Sequence, residues 1–146
     1  MSYLIDTNVI SELRKRQPDR GVSQWFARLP ASALFVSVLT LGELRKGIES
    51  VTEQERKHRL LDWLERDLPQ FFSGRVLDIT PGVAACWGAI TARAGRPVPA
   101  IDSLLAATAL THTLVLVTRN VKDFDYPMLE VIDPWVRRPG RDAHPG

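Results

Sequence analysis

The chain has 146 residues, 45% hydrophobic and 25% charged, the size and mixture of one globular domain with one core, which excludes disorder as the main state and argues against a separate cofactor domain. The single cysteine, Cys86, leaves no internal disulfide, no apolar run reaches the roughly 18 residues of a membrane span, and Tyr3-Leu4-Ile5 follows the first methionine without a basic leader, so a cytoplasmic protein is predicted. Of the 19 Lys and Arg, three lie in Arg137–Gly146 with one of the 17 Asp and Glu, so the net charge of +2 describes a basic tail on a neutral body and is poor support for a nucleic-acid surface.

In chain order, Tyr3-Leu4-Ile5 reads as a strand and Asp6-Thr7-Asn8 as a polar turn, after which Val9, Ile10 and Leu13 recur at helical spacing. Pro18, Asp19 and Gly21 break that helix, and Val22, Trp25, Phe26 and Leu29 mark a second one ending at Pro30. Leu34-Phe35-Val36 is a buried strand, and Ser37 caps a helix striped by Leu41, Leu44 and Ile48. From Glu53 a long helix carries Leu60, Leu61, Leu64 and Leu68, with a kink expected at Pro69. Val76 to Ile79 gives a third strand, and Pro81 opens a helix through Cys86, Trp87 and Ile90 that Gly95 ends. A Pro-rich loop leads to Asp102 and a small-residue helix, Leu104 to Leu110. Leu114 to Val117 is the clearest strand, Thr118-Arg119-Asn120 follows it, and Leu129 to Ile132 is the last strand.

Strands separated by helices predict parallel crossovers and a three-layer α/β fold, a central parallel sheet flanked by helices. Ligands of such sheets bind at the carboxyl ends of the strands. Asp6 directly follows the first strand, and the segment holding Asp123 follows the fourth. Asp102 opens a helix, and Glu43 lies on a helix among small or apolar neighbours, where a buried acid would need a reason. We expect all four to meet in one pocket. Two unit charges about 4 Å apart repel by roughly 4 kcal/mol at an effective dielectric of 20, so such a pocket needs protonation or a bound cation. Oxygen donors without a Cys or His partner select Mg²⁺ or Mn²⁺ over zinc, and the matching chemistry is in-line phosphodiester hydrolysis.

Leu4-Ile5-Asp6-Thr7-Asn8, the spacing Ser37 to Glu43-Leu44 to Gly47, the Asp102 helix after its Ala/Pro loop, and Thr118-Arg119-Asn120 followed by Asp123-Phe124 together resemble PIN-domain ribonucleases, most closely VapC-type toxins. The resemblance spans Tyr3 to Trp135, implying a PIN-like nuclease domain over residues 1–135 and leaving 136–146 as a basic, flexible tail. It implies a Mg²⁺-dependent endoribonuclease of structured RNA, with Mn²⁺ able to substitute. It also implies a homodimer and a small VapB-type antitoxin partner, through which alone any DNA would be bound. Acids of the family match Asp6, Glu43 and Asp102, with Asp6 and Asp102 holding the metal. Many relatives carry an acid where this chain has Asn120, so the fourth role passes either to Asp123 or to a neutral ligand.

Each residue also has an ordinary structural reading. Asp6, Asn8 and Asp102 are good capping residues. Glu43 could pair with Lys46 one turn away for a few tenths of a kcal/mol. Thr7 and Asn8 are read as groups that orient Asp6, and Thr118 and Asn120 as polar support at the end of the fourth strand. Arg93, Arg96, Arg119 and Lys122 flank the expected pocket and could grip phosphates or form a solvated face. Trp25, Trp63, Trp87 and Trp135 are read as packing groups, and His58, His112 and His144 share no metal spacing. The rival functions are a PIN fold that holds RNA or a partner without cutting, and a doubly wound phosphatase or receiver domain. The latter wants a paired acidic motif that Asp6-Thr7-Asn8 lacks.

Overall fold

The computed structural model describes residues 1–135. Its centre is one five-stranded sheet in the order β3-β2-β1-β4-β5, with β1 (Tyr3–Ile5), β2 (Leu34–Ser37), β3 (Val76–Leu77), β4 (Val115–Val117) and β5 (Val131–Ile132). Every pairing is parallel, with Tyr3 beside both Leu34 and Val115. Parallel strands need helical crossovers, and these are α1 (Thr7–Arg14), α2 (Arg20–Ala27), α3 (Val38–Glu49), α4 (Gln54–Asp62), α5 (Leu68–Phe71), α6 (Pro81–Arg93) and α7 (Ala100–Thr111).

The three layers follow from the two-residue period of the strands. Ile5, Leu34, Val36 and Val117 point into one core, built with Val9, Val22, Leu44 and Phe72 from α1 to α5 and the turn after it. Their neighbours Leu4 and Leu116 point the other way, into a second core with Leu105, Ala106 and Ala109 of α7 and Phe124. Shifting β1 by one residue would exchange these faces, so its register is fixed by burial on both sides.

The expected architecture is therefore the one found, with four local differences. Asp19 caps α2, accepting the Val22 amide over 3.1 Å, so Gly21 lies inside that helix instead of breaking the chain. The long helix is interrupted by a wider turn, Trp63–Asp67, in which the Leu68 amide reaches back five residues to Trp63. Pro69 has no amide to donate and its ring crowds the preceding turn, and the extra residue of this π-type turn accommodates it without a sharp break. The third and last strands are two residues long rather than four, because Asp78 and Ile79 are exposed and only Val131 and Ile132 pair with β4. Finally, α7 starts at Ala100, two residues before Asp102. Gly95 has φ +67 after α6, the left-handed conformation a glycine supplies at a helix end.

Candidate active site at the carboxyl edge of the sheet

The chain lays β2 and β3 on one side of β1 and β4 and β5 on the other, so the order of connection reverses between β1 and β4. Loops leaving the carboxyl ends of these two strands diverge and open a crevice. Asp6 leaves β1 there and Thr118 leaves β4, one residue beyond the pair Ile5 and Val117.

Asp6 is 7% exposed and caps α1, with Oδ1 accepting the Thr7 amide over 2.7 Å. The fully buried Thr118 hydroxyl donates to Asp6 Oδ2 over 2.7 Å. Thr118 Oγ1 in turn accepts from Asn8 Nδ2 at 3.2 Å and from the Asn120 amide at 3.1 Å. Asn8 Oδ1 accepts the Arg119 amide at 3.2 Å, which ties the two loops across the crevice. Thr7, Asn8 and Thr118 thus each hydrogen-bond the Asp6 carboxylate. The capping reading of Asp6 holds alongside the site reading, because only one carboxylate oxygen faces the Thr7 amide.

Glu43 is exposed on α3, which corrects the expectation of a buried acid; its side of the helix faces the open crevice while Leu44 takes the core. Its Oε1 accepts the Thr7 hydroxyl at 2.5 Å. Among the described residues no ion pair joins it to Lys46. Asp102 is half-buried in the first turn of α7 and makes no capping bond, the cap position being Pro99. The capping reading of Asp102 is thereby overturned: the helix starts too early for its carboxylate to reach back, leaving that carboxylate in the positive field of the helix start. Asp123 is exposed in the 3-10 turn Val121–Phe124, closed by its amide bonding the Asn120 carbonyl at 3.0 Å.

The electrostatics tie these four segments together. Burial pushes the Asp6 carboxyl above its ordinary value, opposed by the Thr118 and Thr7 hydrogen bonds and reinforced by the Glu43 charge. Burial also raises Asp102, with the charges of Asp6, Asp123 and Glu43 adding to it in that order. All four acids therefore bear on one region, although among the described residues no three acidic, histidine or cysteine side chains close tightly enough to hold an ion alone. That donor set fits a hard divalent ion, which is commonly bound by one or two carboxylates and completed by water and phosphate oxygens. Asp6 and Asp102 are the two whose raised affinity for protons such an ion would reverse.

The flanking cations are distributed unevenly. The Arg119 guanidinium lies 5.0 Å over the Trp135 ring. Burial raises the Tyr126 hydroxyl above its ordinary pKa, opposed by the charge of Arg96 and reinforced by that of Asp102, so these three groups are neighbours. Tyr126 was not singled out in the sequence, where it is one aromatic after a charged run without a motif of its own. Arg93 and Lys122 are exposed and, among the described residues, form no ion pair. Trp87 donates to Ser103 Oγ at 2.9 Å and Trp25 packs edge-on against Tyr3, in keeping with packing roles. The tail 136–146 and His144 lie outside the described residues.

Comparison with known proteins agrees with this fold. The chain is 35% identical to the toxin FitB of Neisseria gonorrhoeae over 135 residues, covering 90% of this chain and 97% of that one. It is 33% identical to the VapC ribonuclease Y4jK of Sinorhizobium fredii over 135 residues, covering 90% and 96%. In three dimensions it resembles FitAcB from N. gonorrhoeae, with a TM-score of 0.85 at 33% identity over 92% of this chain and 99% of that one. It also resembles a toxin–antitoxin complex from Klebsiella pneumoniae, with a TM-score of 0.69 at 26% identity over 93% of this chain and all of that one. The PIN-domain family matches residues 3–126. With the acids set at the sheet's carboxyl edge and the match running through every strand but the last, the chain belongs to the PIN-domain family.

Proposed function

We propose that this protein is a toxin endoribonuclease that hydrolyses phosphodiester bonds in structured RNA with Mg²⁺, for which Mn²⁺ can substitute. The observation that carries the reading is the gathering of acids from separate segments at the reversal point of the sheet, where the Thr7 amide binds Asp6, the Thr7 hydroxyl binds Glu43, and burial and the charges of Asp6, Asp123 and Glu43 raise Asp102. Bound there, the ion would polarise the scissile phosphate and lower the pKa of water. Asp6 and Asp102 would hold it; Thr118, Thr7 and Asn8 fix Asp6; Glu43, steadied by the Thr7 hydroxyl, would accept the proton of the attacking water, with Asp123 as the fourth acid of the set. Asn120, exposed beside Asp123, is the neutral member of the set. Arg93, Arg96, Arg119 and Lys122 grip the flanking phosphates.

The partner in this reading is a small antitoxin. It is supported by an apolar groove of about 440 Å³ between α1, α2 and α5, lined by Ile10, Leu13, Phe26, Leu68 and Phe71, with Phe71 40% exposed. Such a groove suits the apolar face of an amphipathic helix. A second copy of the chain is supported by the exposed small face of α6, Ala85, Gly88, Ala89 and Ala92. DNA contact falls to the antitoxin, and the free Cys86 suits a reducing cytoplasm.

Induced expression with and without the neighbouring small open reading frame, with mapping of RNA 5′ ends, tests the reading. New discrete ends that vanish in Asp6→Asn and with the small protein are expected. RNA binding without new ends would instead identify a PIN fold that holds RNA intact.

A further inference from the structure

Resting on the endoribonuclease reading, we propose that Arg56, backed by Arg14, holds a backbone phosphate of the RNA strand in a groove leading away from Glu43. The groove has a volume of about 260 Å³ and runs between α1, α3 and α4. Thr7, Glu43, Gly47, Arg14, Arg56 and Trp63 are among the residues that line it. Thr7 and Glu43 are the same two groups joined by the 2.5 Å hydrogen bond at the acidic crevice, so the groove opens directly from the site.

The charges set this groove apart from the surface around it. On α3, α4 and the turn after α4, Arg45 is neutralised by Glu49 and Glu65, Lys57 by Glu49, and Arg66 by Asp62, and of Lys46, Arg56 and Arg59, which enter no ion pair among the described residues, Arg56 is the one that lines this groove. Arg56 enters none of the ion pairs among the described residues, although Glu43 lines the same cavity. Arg14 enters none either, its guanidinium lying 4.5 Å over the Trp63 ring. Positive charge from Arg14 and Arg56 and negative charge from Glu43 thus line one groove. A polyanion fits that arrangement if one phosphate meets the acids through a divalent ion and a neighbouring phosphate meets the arginines directly.

Gly47 sits inside α3, where a glycine weakens the helix, yet a Cβ placed on it meets nothing within 4 Å, so packing does not require it. It lines the groove and adds no side chain to it. The apolar groove assigned above to the antitoxin lies across the Arg14–Trp63 pair, which borders both cavities.

The test is the binding of a fluorescein-labelled single-stranded RNA oligonucleotide by the full chain, followed by anisotropy in EDTA over a range of salt concentrations. Arg56→Ala is expected to weaken binding several-fold and to lower the slope of log K against log salt by about 0.7. Arg56→Lys should restore most of the slope, and Arg66→Ala, its charge already paired, should match wild type, all with unchanged Tm. Wild-type affinity and slope in Arg56→Ala, while the wild-type protein binds and cuts RNA, would overturn the phosphate assignment and leave the nuclease reading standing. If the wild-type protein itself neither binds nor cuts RNA, that reading falls and takes this inference with it. Unchanged RNA binding with lost co-purification of the small protein encoded beside this one would give the groove to that protein and overturn the proposal.

Discussion

The hydroxyl of Thr118 donates to Oδ2 of Asp6 over 2.7 Å, joining residues 112 positions apart across the ends of two paired strands. No local rule requires that bond. It forms because β1 and β4 are parallel neighbours in register, which brings the residue after each to the same edge of the sheet.

Thr118→Val keeps the shape and removes the donor. It should destabilise the fold by about 1–3 kcal/mol, since the Asn8 amide group and the Asn120 amide lose their acceptor while Asp6 stays buried. Because the lost bond lowers the Asp6 pKa, the acidic limb of the pH–rate profile should move to higher pH. Thr118→Ser should keep the limb in place. An unmoved limb in the valine variant would mean that Asp6 does not control it.

Asp102 offers a separation of stability from activity. Its carboxyl, like that of Asp6, binds its proton more tightly in the folded chain than in the unfolded one. Folding stability should therefore fall as pH rises from the ordinary aspartate value through the raised one, and stay lowered above it. In EDTA at neutral pH, Asp102→Asn should melt higher than wild type, the difference closing on acidification. Mg²⁺ at ten times its Kd should stabilise the wild type by about 1.4 kcal/mol and the variant by much less. Equal Mg²⁺ shifts in a calorimetric scan would remove Asp102 from the ion's ligands.

At Glu43 two readings diverge sharply. Glu43→Gln should lower the cleavage rate by roughly 100-fold or more if the carboxylate takes a proton. Lys46→Ala should change it less than a few-fold, as no described ion pair links the two. Comparable losses in both, measured as single-turnover rates, would point to a structural pair instead.

Glu12 tests the fold alone. It is 6% exposed, accepts the Asp19 amide at 2.9 Å and pairs with Lys15 at 2.8 Å, pinning the turn between α1 and α2. These bonds hold its carboxyl below the ordinary value, the Lys15 bond most, so their stabilisation is present above the unfolded pKa and is lost as pH falls through the folded one. Glu12→Ala should cost about 1–3 kcal/mol at neutral pH by denaturant melts and less in acid. A pH-independent cost would show that the charge is immaterial.

Much of this protein is written locally. The apolar runs at Leu4-Ile5 and Leu116-Val117, helical spacing in Leu41-Leu44-Ile48, the cap at Ser37 and Pro81 at a helix start each depend on residues a few positions apart, so the order of strands and helices is legible in the sequence. The acids are legible too, because oxygen donors without histidine or cysteine partners at metal spacing narrow the chemistry. What the sequence leaves open turns on distance. That α7 begins at Ala100, freeing the Asp102 carboxylate from capping, that Glu43 faces the crevice and not the core, and that the charge of Asp123 reaches Asp102 all follow from how segments pack. The register of one parallel sheet and the crossovers around it decide such contacts, and no window of neighbouring residues contains them.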